Sequence, residues 1–121
     1  MECHDNLTLY DKIKKALDNY PKEERLKRQR LATGMLILSQ GIPFIHSGQE
    51  FYRTKYGIDN TYNLPDIINM IDWKRRDDYI EDVKYFTELI SVRKYFPVFR
   101  FPSRAKIKKH LSFLKSEEGI I

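Results

Sequence analysis

Apolar residues recur at helical spacing in two long stretches of the chain and lose that rhythm between them. From Lys22 to Gln40, Leu31, Met35 and Leu38 form one apolar stripe, and Leu26, Arg30, Thr33 and Ile37 run along an adjoining edge. That pattern predicts a helix. Glu23 and Glu24 suit the positive end of its dipole, and Gly41 is placed to stand just past its end. From Asp77 to Phe96 a second helix is expected, with Ile80, Val83, Phe86, Leu89 and Ile90 inward. Asp77 or Asp78 would cap it and Pro97 would stop it. A shorter loop-helix segment covers residues 7–19, where Leu7, Leu9, Tyr10, Ile13 and Leu17 alternate with charged positions. Asn19-Tyr20-Pro21 ends it, because proline disfavours helix in the residue before it.

Between the long helices the period changes. Ile42-Pro43-Phe44-Ile45-His46 is a short apolar run between Gly41 and Gly48, which predicts a buried strand. Residues 47–76 are rich in Gly, Asp, Asn and Pro and read as a long loop, and loops of that length in a compact domain are usually functional. After Phe101-Pro102, residues 106–109 are polar and basic, and His110 to Leu114 is expected to begin a new strand. Alternating strand and helix predicts an α/β layout with parallel strands. One full strand cannot make a sheet, so the pattern reads as the final portion of something larger.

Composition narrows the classes. Hydrophobic residues make up 41% and aromatics 13%, which is globular composition. Eight Tyr and seven Phe suit a core or a carbohydrate-stacking surface. The net charge of +5 permits an anionic partner. The single cysteine, Cys3, rules out an internal disulfide. No basic-then-apolar signal pattern opens the chain, so the expectation is a cytoplasmic location by default and no membrane partner. Cys3, His4, His46 and His110 lack metal-ligand spacing, and no metal or other cofactor is expected. No phosphate-binding loop or serine-nucleophile elbow is present.

The chemistry lies in three ordered motifs. Glu2-Cys3-His4-Asp5-Asn6-Leu7-Thr8-Leu9-Tyr10-Asp11-Lys12 resembles the fourth conserved segment of the α-amylase superfamily, in the form seen in type I pullulanases. Gly41 to Phe51, with Ile42-Pro43-Phe44-Ile45-His46-Ser47-Gly48-Gln49-Glu50, is similar to the eighth barrel strand of those enzymes. Asn60-Thr61-Tyr62-Asn63-Leu64-Pro65-Asp66 and Ile71-Asp72-Trp73 resemble the loop that follows. The resemblance implies the C-terminal portion of a (β/α)8 TIM barrel, whose sites lie at the C-terminal ends of the strands. Residues 1–101 would be a partial catalytic barrel, and residues 102–121 would start a C-terminal β-domain with its first strand. It further implies that Asp5 stabilises the transition state and that His4 binds the sugar beside the scissile bond; Asn60, Tyr62 and Asn63 are candidate sugar contacts or simple loop structure. A fixed carboxylate suits an oxocarbenium-like transition state. The implied reaction of the parent is retaining hydrolysis of α-1,6 glucosidic bonds, with a broader α-glucan hydrolase left open. Its nucleophile and general acid would lie upstream, so the isolated chain is expected to be inactive. The implied partners are an α-glucan for the parent enzyme and the missing N-terminal part of the barrel.

Other readings of these residues stay open. Asp5 taken alone is a surface aspartate or a helix cap. His46 reads as a packed, hydrogen-bonded histidine, Gln49 and Glu50 as residues orienting their loop, and Trp73 as a packing anchor or a sugar platform. A chain missing most of a barrel could be a non-enzymatic truncated product. Its basic runs, Lys22 to Arg30 and Arg104 to Lys109, raise the rival of a small nucleic-acid binder. Glu23 and Glu24 interrupt the first run and no aromatics interleave it, so no nucleic-acid partner is expected.

Overall fold

In the computed structural model, residues 1–113 are described, and among them the regular structure is helical. Helix α1 spans Leu9–Ala16, α2 Lys22–Leu38, α3 Asp66–Asn69, α4 Trp73–Asp78, α5 Ile80–Tyr95 and α6 Arg104–His110. Short 3₁₀ turns occupy Gln49–Phe51 and Pro97–Arg100. The central pair is α2 against α5, with α1 on α2 and the Gln49–Phe51 turn on α5.

Ile37, Phe51, Tyr52, Phe86 and Leu9 are the buried apolar side chains of this packing. Many buried side chains are polar, among them Gln29, Thr33, Gln49, Asp11, Asp82 and Arg93. The buried edge of α2 is Gln29, Thr33 and Ile37, one helical turn apart. The stripe expected to be buried is not: Leu31 is 61% and Met35 45% exposed. The polar groups of α5 meet Arg30 and the carbonyls at the end of α2, while the buried Gln29 amide has no hydrogen-bond partner. Arg30 Nε lies 2.5 Å from Asp82 Oδ1, and Tyr52 Oη donates to the same oxygen. Arg93, buried on α5, donates to the carbonyls of Ile37 at 2.7 Å, Ser39 at 2.6 Å and Gly41 at 2.5 Å. It thereby satisfies carbonyls at and just past the end of α2 that a helix leaves unpaired. Gly41 adopts φ 91°, a left-handed conformation that turns the chain away there.

Three expectations are corrected. Residues 42–46 carry no regular secondary structure, because a strand exists only through pairing and no described segment pairs with this one. The second long helix starts at Ile80 and not at Asp77, and a separate short helix, α4, lies mostly within the stretch read as loop. Asp72 caps α4 by accepting the Arg75 N–H at 3.2 Å, and the chain breaks at Tyr79 (φ −119°, ψ 33°), so neither Asp77 nor Asp78 is a cap. Tyr79 is held at that break by an edge-on contact with Tyr52 at 4.9 Å and by the Arg75 guanidinium over its ring. Lastly, Arg104–His110 forms a helix where a polar stretch leading into a strand was expected. Ser103 caps it through the Lys106 N–H at 3.3 Å, and no strand begins over residues 110–113. Leu114, the end of that expected strand, and the rest of the expected β-domain to residue 121 lie outside the described residues. No helix among the described residues is long and apolar enough to cross a membrane.

Candidate functional site

The site is built where the N-terminal segment meets the chain that follows the Gln49–Phe51 turn. Thr8 is the N-cap of α1, accepting the Asp11 N–H at 3.2 Å while its hydroxyl donates to Asp11 Oδ2 at 2.9 Å. The buried Asp11 carboxylate also accepts from Thr54 Oγ1 at 2.6 Å and from the Lys55 N–H at 2.7 Å. One carboxylate thus ties the first turn of α1 to residues 54–55. Glu2 folds back on the same helix start, its Oε2 accepting the Leu9 N–H, where the helix dipole favours negative charge. Residues 3–7 are therefore a short loop closed at its base, and Asn6 at its tip has φ 59°, a conformation asparagine tolerates.

Behind this loop, His46 and Glu2 face each other inside the protein. His46 Nδ1 lies 3.8 Å from Glu2 Oε1, and neither atom has a hydrogen-bond partner. Arg53 approaches His46 Nε2 at 3.3 Å. A guanidinium can only donate, so Nε2 accepts and the ring proton sits on Nδ1, toward Glu2. Burial raises the Glu2 pKa, against the lowering effect of the Leu9 N–H and nearby cations. Burial lowers the His46 pKa, helped by the charges of Arg53 and Lys55. The pair therefore resists charging on both sides.

The opposite wall comes from residues 59–69. Thr61 and Asn69 exchange hydrogen bonds, Thr61 Oγ1 to Asn69 Oδ1 and Asn69 Nδ2 to Thr61 O, each 2.7 Å. Arg53 donates to the Asn69 carbonyl as well. Between the two walls lies a cleft of about 150 Å³ lined by His4, Asp5, Asp59, Asn60, Thr61, Tyr62 and Asn69. A second, of about 270 Å³, adjoins it at Asp5, Asn6, Asp59 and Asn60.

Four of the five residues singled out in the sequence, His4, Asp5, Asn60 and Tyr62, meet on this cleft, while Asn63 is not among its lining residues. His4 Nε2 and Asp5 Oδ2 are 3.3 Å apart, both open to solvent. Glu50 turns back on its own loop, its Oε2 accepting the Gly48 N–H at 3.1 Å, whereas the buried Gln49 amide has no partner. Trp73 is 64% exposed, its ring 6.2 Å from Phe51, so it is no buried anchor. Sequence reasoning missed Asp59, Thr61 and Asn69, which line the cleft, and the buried charges Glu2 and Lys55 behind it. One donor each from Cys3, His4 and Asp5 lies within 4.8 Å of the others, a grouping that spacing rules for metal sites passed over. All three come from one exposed stretch of adjacent residues, and the cluster carries no metal assignment.

An open, polar cleft with a carboxylate, an imidazole, amides and an exposed tyrosine ring is suited to hydroxyl-rich ligands. Comparison with known proteins finds similarity to pullulanases and an isoamylase. No protein-family model matches the chain. All 121 residues align with the pullulanase of Bacillus subtilis strain 168 at 49% identity, covering 17% of that protein. An isoamylase of a Flavobacterium species is 38% identical over 77 residues, 64% of this chain and 10% of the relative. A crystal structure of a pullulanase from Anoxybacillus sp. LM18-11 complexed with maltotetraose superposes with a TM-score of 0.92 at 47% identity, covering 96% of this chain and 17% of that one. The chain is homologous to the type I pullulanases, within the α-amylase family. It spans about a sixth of the length of the pullulanases it matches.

Proposed function

We propose that this chain is the C-terminal part of the catalytic domain of a type I pullulanase-like enzyme, which hydrolyses α-1,6 glucosidic bonds in α-glucans with retention. The observation that carries the proposal is the convergence of His4, Asp5, Asn60 and Tyr62 on one cleft, in a chain that aligns end to end with a pullulanase. In this reading Asp5 is the carboxylate that stabilises the oxocarbenium-like transition state, and its exposure in the cleft leaves it free to face a sugar. His4, Asn60 and Tyr62 hold the glucosyl ring, with the exposed Tyr62 ring as a stacking face. Asn63 bears on the same loop from outside the cleft. That the related pullulanase was solved with maltotetraose supports an α-glucan ligand.

Residues 1–101 contribute the end of a (β/α)8 barrel, with 42–46 as a barrel strand once neighbouring strands pair with it, and residues 102–121 lead toward a β-domain through α6. The nearly fully exposed Ile42 (97%) and the exposed Phe44 support this reading, since such side chains suit a packed neighbour. The nucleophile and general acid come from the remainder of that barrel, and the 121-residue chain alone has no hydrolytic activity. Incubating the purified chain with pullulan and assaying reducing sugar tests that last point: no release above a blank is expected, and release would overturn it.

A further inference from the structure

Lys55 is among the largest fully buried side chains of the protein. An ammonium taken out of water is costly unless it is paired, yet no carboxylate among the described residues lies within 4.0 Å of its Nζ. Instead Nζ donates to two backbone carbonyls, His4 O at 3.2 Å and Asp59 O at 3.0 Å. Those carbonyls belong to the peptide units that lead into Asp5 and Asn60, which with Asp59 line both clefts. The lysine backbone is fixed independently. Its N–H is held by Asp11, its carbonyl accepts the Ile58 N–H at 3.0 Å, and the left-handed Tyr56 and Gly57 turn the chain directly beyond it.

We propose that Lys55 is a positioning residue: its buried ammonium bridges the two walls of the cleft and fixes the separation between Asp5 and Asn60. A single cation is suited to this task because its donors radiate from one point and can draw two carbonyls from different segments toward one centre. No other hydrogen bond among the described residues joins residues 3–7 to residues 59–63 directly, so the register of the two walls rests on this bridge. The inference rests on the glucan-site reading for its functional meaning, since Asp5 and Asn60 would then contact the same sugar.

The test uses the full chain as wild type, Lys55→Met and Lys55→Arg, with backbone amide exchange read residue by residue by NMR. Methionine keeps the length and removes the donors; arginine keeps charge and donors. Lys55→Met should speed exchange about tenfold in residues 4–6 and 59–62 together, leave α2 and α5 unchanged, and be largely rescued by Lys55→Arg. The proposal is overturned if neither or only one wall responds, or if α2 and α5 loosen equally. Should Lys55→Met not fold, the wild type decides. A slowly exchanging Lys55 ammonium resonance coupled through hydrogen bonds to the carbonyl carbons of His4 and Asp59 supports the bridge, and its absence rejects it. Adding maltotetraose to the wild type separates the two claims. An intact bridge with no shift of the His4 and Asn60 amides counts against the glucan reading and leaves the bridge standing.

Discussion

Replacing Arg93 by methionine tests whether the α2–α5 pairing is held by hydrogen bonds as much as by apolar packing. Methionine keeps most of the buried aliphatic stem and deletes the guanidinium, which makes three bonds of 2.5–2.7 Å to the carbonyls of Ile37, Ser39 and Gly41. Hydrogen bonds from a charged donor contribute about 1.5–3 kcal/mol each in mutational series. The three cannot simply be summed. The Ile37 carbonyl is buried and would be left bare, whereas those of Ser39 and Gly41 are partly buried and can recover water. Relief from burying the guanidinium offsets part of the loss. The expected cost is about 3–4 kcal/mol, read as a shift of the urea midpoint at unchanged slope, followed by circular dichroism. Lys84→Ala provides the contrast, because its pair with Glu81 is exposed and should contribute under about 0.5 kcal/mol. A cost below about 1 kcal/mol for Arg93→Met would show that α2 ends without help from α5.

Other positions give sharper readings of single features. Glu2→Gln should destabilise the protein less at neutral pH than near pH 4.5. The raised Glu2 pKa means the folded state binds the proton more tightly, so its contribution is present below the unfolded value and fades as pH rises through the folded one; parallel urea titrations at the two pH values check this. His46→Gln removes the opposite dependence. With a lowered pKa, His46 contributes stability above its ordinary value of 6.5 and loses it on acidification, so the variant should lose less stability than wild type between about pH 7 and 5. Gly48→Ala should cost about 1–3 kcal/mol, since Gly48 has φ 92° and an added Cβ would lie 2.8 Å from the Arg53 Cβ; thermal melts would show it, and an unchanged Tm would contradict the loop geometry.

Helices α1 and α2 were legible because local signals agree with the packing: Pro21 and the two glutamates open α2, and Gly41 follows its end. The break at Tyr79 before the second long helix was not legible. It depends on Tyr79 meeting Tyr52, a contact between positions far apart in sequence, with the nearby Arg75 over the Tyr79 ring. The α2 face was misjudged for a related reason. Hydrophobicity favours Leu31 and Met35, but α5 offers Asp82 to Arg30 and Arg93 to the Ile37 carbonyl, which turns the side of α2 carrying Ile37 inward. Helix α6 escaped notice because it carries few apolar side chains to mark a period.

At the site, the motifs carried His4, Asp5, Asn60 and Tyr62, since each belongs to a recognisable run. Glu2 opens one of those runs yet, like Lys55, gave no sign of burial, because charged side chains are expected outside and only the folded arrangement puts them behind the cleft.

The most direct test of the functional account replaces the matching segment of the Bacillus subtilis pullulanase with these 121 residues and measures pullulan hydrolysis by the chimaera. The account predicts an active chimaera whose activity falls by about 10³-fold on Asp5→Asn, the scale expected when charge stabilisation of a transition state is removed. A folded chimaera without activity, or one in which Asp5→Asn hydrolyses pullulan at the parent rate, would contradict it.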